Sequence, residues 1–149
     1  MALRSFVLLT VAALVIAGAA GGVTADGLQR GSEGGIQELL DRRAAAVMAG
    51  DFDAFMATVA DDSEAFVRRQ RRLFERMTGV PLASYRLEAR PDRFGDLATA
   101  SVEKSYPEAD AVSIPVTEER YRLEGFDTEE AIEDMFFTFV ERDGEWLIA

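Results

Sequence analysis

The chain has 149 residues, with 27 Asp and Glu against 16 Lys and Arg, and neither histidine nor cysteine. That length suits one domain, and a hydrophobic fraction of 48% belongs to a globular chain rather than a disordered one. Ser–His and Cys–His nucleophile pairs, thiolate chemistry and the common zinc sites are excluded, and a formal net charge of −11 opposes nucleic acid and anionic lipid.

Arg4, the apolar run over 6–20 and the small residues Val23, Thr24 and Ala25 read as a secretory signal peptide over 1–25. An uncleaved anchor is the alternative, since 6–23 is just long enough to span a bilayer. The predicted location is therefore secreted or extracytoplasmic, with membrane attachment only through that leader. Without cysteine, an exported domain depends on packing alone. Residues 26–35 hold four Gly and Ser32 and read as a flexible tether, which leaves 36–149 as the folded domain.

From Ile36 the apolar period is helical, through Leu39, Leu40, Val47 and Met48. Gly50 then stops the first helix and Asp51 caps the second, which carries Phe52, Phe55, Met56 and Val59. Ser63 is placed to cap a third helix with Phe66, Leu73, Phe74 and Met77 on its buried face, stopped by Gly79 and Pro81.

Beyond Pro81 the period becomes two. Tyr85, Leu87 and Ala89 alternate with Arg86, Glu88 and Arg90, the pattern of a half-buried strand. A turn over 91–95, a second strand over 97–106, a loop over 107–111 and a third strand over 116–124 follow. After another turn, a fourth strand is expected over 132–141, sandwiched because 135–140 is apolar on both faces. Asp143-Gly144 is a hairpin signal, and 145–149 begins a fifth strand that stops midway, so the domain reads as truncated there.

Three helices ahead of a strand meander, with AGDFDAFMATVADD at 49–62 and FFTFVERDGEWLIA at 136–149, resemble the NTF2-like, or SnoaL-like, superfamily. The resemblance implies an α+β cone: three N-terminal helices packed on a curved antiparallel sheet of four to five strands. It also implies a homodimer formed through the exposed sheet face. More faintly, the chain resembles an N-terminal module of larger secreted proteins, which would make it an accessory domain.

Enzymes of this superfamily often work with a pocket carboxylate and Tyr or Asp partners, or with a His-containing set; only the carboxylate–Tyr version is open here. The candidates are Tyr85 and Tyr121 with Asp61, Asp62, Glu118 or Asp134. The competing reading packs both rings in the sheet with their hydroxyls at water. Phe136, Phe137, Phe139 and Trp146 are read as core, a fraction of which would line a cone cavity, so the candidate pocket is Tyr85, Tyr121, Phe137, Phe139 and Trp146.

Arg68, Arg72 and Arg76, at i, i+4 and i+8, form a stripe suited to an anion or to pairing on a solvated face. Asp51 and Asp53 lack the Gly and Glu of a calcium loop, and helix capping accounts for them. Six acids between Glu124 and Asp134 read as a solvated loop. The leading expectation is a secreted, non-catalytic module for a small apolar ligand or a protein partner. No cofactor, metal or nucleic acid is expected. The alternatives are a SnoaL-like isomerase, dehydratase or hydrolase, and the accessory domain.

Overall fold

Three caps organise the helical half. Helix α1 (Ala25–Ala49) ends where Gly50 turns left-handed at φ 65°, a conformation glycine adopts without steric cost. The Asp51 carboxylate accepts from the Ala54 N–H at 3.0 Å and opens α2 (Phe52–Met56). The Ser63 hydroxyl accepts from the Phe66 N–H at 3.3 Å and opens α3 (Glu64–Thr78). The Asp51 and Ser63 caps each satisfy an amide that the first turn of a helix leaves unpaired. The structure, a computed structural model, describes residues 25–149 apart from Thr128; the leader expected over 1–25 lies, but for Ala25, outside the described residues.

The remaining elements are β1 (Leu82–Ala89), two one-turn helices α4 (Pro91–Phe94) and α5 (Ala100–Glu103), then β2 (Ala111–Ser113), β3 (Val116–Leu123), β4 (Ala131–Phe136), β5 (Phe139–Arg142) and β6 (Glu145–Ile148). They form two three-stranded antiparallel sheets, ordered β1-β3-β4 and β2-β5-β6. The architecture is thus α+β, with helices packed against antiparallel sheets.

Several expectations are corrected. The tether expected over 26–35 is part of α1, and Gly35 explains why glycine stands in a helix there. A Cβ at Gly35 would lie 2.6 Å from Cδ1 of Trp146, so the bare backbone lets β6 close on α1. The strand expected over 97–106 is instead a turn and α5, because Thr99 Oγ1 accepts from the Val102 N–H at 3.4 Å and starts a helical turn. Ala98, Ala100 and Val102 alternate, but none is buried. The expected loop ends in β2. The single strand expected over 132–141 breaks at Phe137 and Thr138 into β4 and β5, which belong to different sheets. Phe136 therefore faces outward, 58% exposed, while Phe139 is fully buried.

The core gathers Ile36, Leu39, Leu40 and Val47 from α1 with Phe55, Phe74, Leu87, Phe139, Trp146 and Ile148. Phe74 lies edge-on to Phe52 at 5.5 Å and tilted against Phe55 at 5.0 Å, geometries that aromatic quadrupoles favour.

Several sheet edges are covered by specific contacts. Gln37 on α1 imitates a neighbouring strand: its Nε2 donates to the Leu87 carbonyl at 3.0 Å, and its Oε1 accepts from the Ala89 N–H at 2.9 Å. Residues 58–60 cover β6, with Ala60 N donating to Ile148 O at 2.8 Å and Ile148 N to Thr58 O at 2.9 Å. Asp96 and Leu97 cover the end of β2 through Ile114.

Gly34 and Gly35 separate helix propensity from packing. Gly34 has open space around its missing Cβ, so Gly34→Ala is expected to raise unfolding free energy by about 0.5–1 kcal/mol. Gly35→Ala should lower it by about 1–3 kcal/mol through overpacking against Trp146. Urea unfolding of both variants checks the pair; equal gains would refute the contact.

Candidate functional site

Arg43 occupies the apolar stripe of α1 between Leu40 and Val47, and only 2% of its surface is exposed. Its guanidinium donates to Thr58 Oγ1 at 2.8 Å and to Gln70 Oε1 at 2.5 Å, and lies 3.8 Å over the Phe55 ring. The Thr58 hydroxyl in turn donates to the Phe55 carbonyl at 2.6 Å. Among the described residues no carboxylate pairs with Arg43. Burial pulls its pKa down to about 10, with the neighbouring Tyr85 opposing that shift, so the side chain stays charged at neutral pH. A buried cation without an anion must be solvated by fixed dipoles and ring faces; here an amide, a hydroxyl and a benzene ring do so. Sequence reasoning missed this residue, although Arg43 falls seven positions after Ile36 on the apolar stripe.

Tyr85 on β1 and Tyr121 on β3 are cross-strand partners. On the same face, Leu87 pairs with Glu119, and Glu119 pairs with Glu133 on β4. Two tyrosines and two carboxylates therefore share one sheet face. Tyr85 is buried, and its phenol is held far above its ordinary value of 10.0, by burial first and then by the Glu119 carboxylate. The half-buried Tyr121 donates to Glu133 Oε1 at 3.4 Å; the Glu133 charge, then burial, raises its pKa too. Both rings remain protonated donors at neutral pH.

The acids proposed as partners for these tyrosines lie elsewhere. Glu118 and Asp134 are cross-strand neighbours on the opposite face of the sheet, each committed to guanidinium groups. Arg90 reaches Glu118 at 3.2 Å and Arg93 at 3.8 Å, with Arg120 bonded to it as well. Arg93 also pairs with Asp134. Glu130 takes Arg86 at 2.6 Å and Arg120 at 3.4 Å, and Asp92 takes Arg90 at 3.1 Å. Four arginines and four carboxylates thus form one continuous network. Asp62 is paired with Arg142, and Asp61 is exposed.

Of the candidate pocket residues, Tyr85, Phe139 and Trp146 are in the core, whereas Tyr121 and Phe137 are half-buried against it. Phe137 meets Phe139 edge-on at 6.0 Å. An open groove of about 500 Å³ runs between α1 and β1, bordered by Gln37, Asp41, Met48, Tyr85 and Arg120; Tyr85 is the one candidate it touches. Arg68, Arg72 and Arg76 are all exposed on α3. Arg68 pairs with Glu64 at 3.2 Å, while Arg72 and Arg76 make no ion pair among the described residues. Arg69 and Arg71 lie 5.5 and 5.1 Å from the Phe66 and Phe52 rings.

Among the described residues no three metal-ligating side chains converge, and no helix is long and apolar enough to cross a membrane. The geometry defines an α+β domain with a buried arginine and a tyrosine–glutamate sheet face. Comparison with protein-family models, curated proteins and solved structures gave no match.

Two measurements test these assignments. Gln70→Leu removes an acceptor from a buried cation and should cost about 1–3 kcal/mol; the double variant Arg43→Met with Gln70→Leu should recover most of that loss, a non-additivity read by urea unfolding. For Tyr85, the folded pKa lies above the unfolded value of 10.0, so its contribution is intact below pH 10 and is lost as pH rises beyond it. That loss amounts to about 1.4 kcal/mol per pH unit. Tyr85→Phe should flatten this alkaline decline relative to wild type.

Proposed function

We propose that this chain is a non-catalytic association module on an NTF2-like, cone-type framework, exported by its leader. The burial of Tyr85, Phe139 and Trp146 carries this reading: side chains that would line a ligand chamber are consumed by the core. Further support comes from Glu118 and Asp134, whose carboxylates are taken up by ion pairs with arginine rather than turned toward the tyrosines. Homodimerisation through the sheet face, or service as an accessory domain in a larger secreted protein, fits the same reading.

The Tyr121–Glu133 bond and Glu119 beside Tyr85 favour a second reading, a small-molecule isomerase, dehydratase or hydrolase. In that case the sheet face would supply phenol donors and a carboxylate base.

The distinguishing experiment is titration with 8-anilinonaphthalene-1-sulfonate followed by fluorescence. An association module with a filled interior should show no saturable one-to-one binding. Stoichiometric binding that disappears in Phe137→Ala would overturn the reading in favour of an apolar-ligand pocket.

A further inference from the structure

β4 is the outer strand of the β1-β3-β4 sheet. Its far edge differs from the edges covered by Gln37, by residues 58–60 and by Asp96 with Leu97. Among the described residues, no backbone or side chain hydrogen-bonds to that edge. In an antiparallel strand, alternate N–H and C=O groups point away from the paired neighbour, so β4 presents them to an incoming chain. Ile132 and Phe136 stand on one face of this strand at 52% and 58% exposure, and Phe94, next to the Arg93 that pairs with Asp134, is 68% exposed. An open edge beside exposed apolar side chains is the arrangement that proteins otherwise blunt.

Charge selects the occupant. The edge and the turn leading into it carry Glu124, Asp127, Glu129 and Glu133, and Asp134 is already paired with Arg93. Antiparallel pairing of two copies about the middle of β4 would set either Glu133 or, in the neighbouring register, Asp134 against its own counterpart, and like charges placed opposite one another destabilise a ladder. A cationic strand meets the opposite field. Resting on the association-module reading above, we propose that β4 is a docking edge that adds an extended segment of a partner protein, apolar and basic at alternate positions. Its backbone completes the ladder, its apolar side chains lie beside Ile132 and Phe136, and its basic ones face Glu133.

The probe is an acetylated hexapeptide of alternating lysine and valine, with a glutamate–valine peptide as its control, titrated into isotope-labelled protein and followed by NMR. Support is saturable binding of the basic peptide, with shift changes centred on Ala131–Phe136 and slowed amide exchange at alternate residues there. Affinity should fall roughly tenfold in Glu133→Lys and also in Ile132→Lys, with urea unfolding confirming that both variants fold. The proposal is overturned by no binding, by equal binding of the acidic peptide, or by shifts centred elsewhere. A concentration-dependent dimer in sedimentation that Ile132→Lys abolishes would overturn it as well, by making a second copy the occupant. The dye titration reports on the interior and not on this edge, so failure of the docking proposal and failure of the module reading give different results.

Discussion

A guanidinium in the middle of a hydrophobic core constrains everything packed around it. Arg43 leaves α1 toward Thr58, which follows α2, and toward Gln70 on α3, so three successive helical segments must present the right atoms at once. The charge tolerates little displacement, because an unpaired donor in a low-dielectric interior costs far more than the hydrogen bond contributes when made. Aliphatic contacts alone would let α3 slide by a turn along α1. The polar pair fixes its register, and Phe55 beneath the guanidinium ties α2 to the same point.

Local chemistry written in a few adjacent residues was legible in the sequence. Gly50, Asp51 and Ser63 placed the helix junctions, and Asp143-Gly144 placed the final hairpin, where both residues adopt positive φ. Long-range partnership was not legible. Glu118 is one of the acids the sequence offers to the tyrosines, yet three positions along a strand put its side chain on the face opposite Tyr121. Period two brings Glu119 and Tyr121 together instead. Gly35 looked like linker composition because its reason, the Trp146 ring, lies on β6 at the other end of the fold. The run over 135–140 looked sandwiched because nothing local signals that a chain leaves one sheet and enters another at Phe137 and Thr138.

The two faces of the β1-β3-β4 sheet divide the electrostatics. One holds arginines and carboxylates in equal number, a network whose partly exposed pairs add modestly to stability but leave little net field. The other carries Glu119 and Glu133 with their tyrosines. Among the described residues, Glu119 and Glu133 on the second face and Glu124, Asp127 and Glu129 on the turn before β4 make no ion pair, while α3 bears an exposed basic row. A chain so divided offers different surfaces to differently charged partners, and electrostatics of this kind governs encounter rate and orientation more than final affinity.

The chain holds a single tryptophan, and its indole rests on bare helix backbone at Gly35. Its emission spectrum is therefore an intrinsic optical gauge of whether the early part of α1 lies down on β6. Lifting of that segment would admit water to the indole and shift its fluorescence to longer wavelength before the rest of the fold responds.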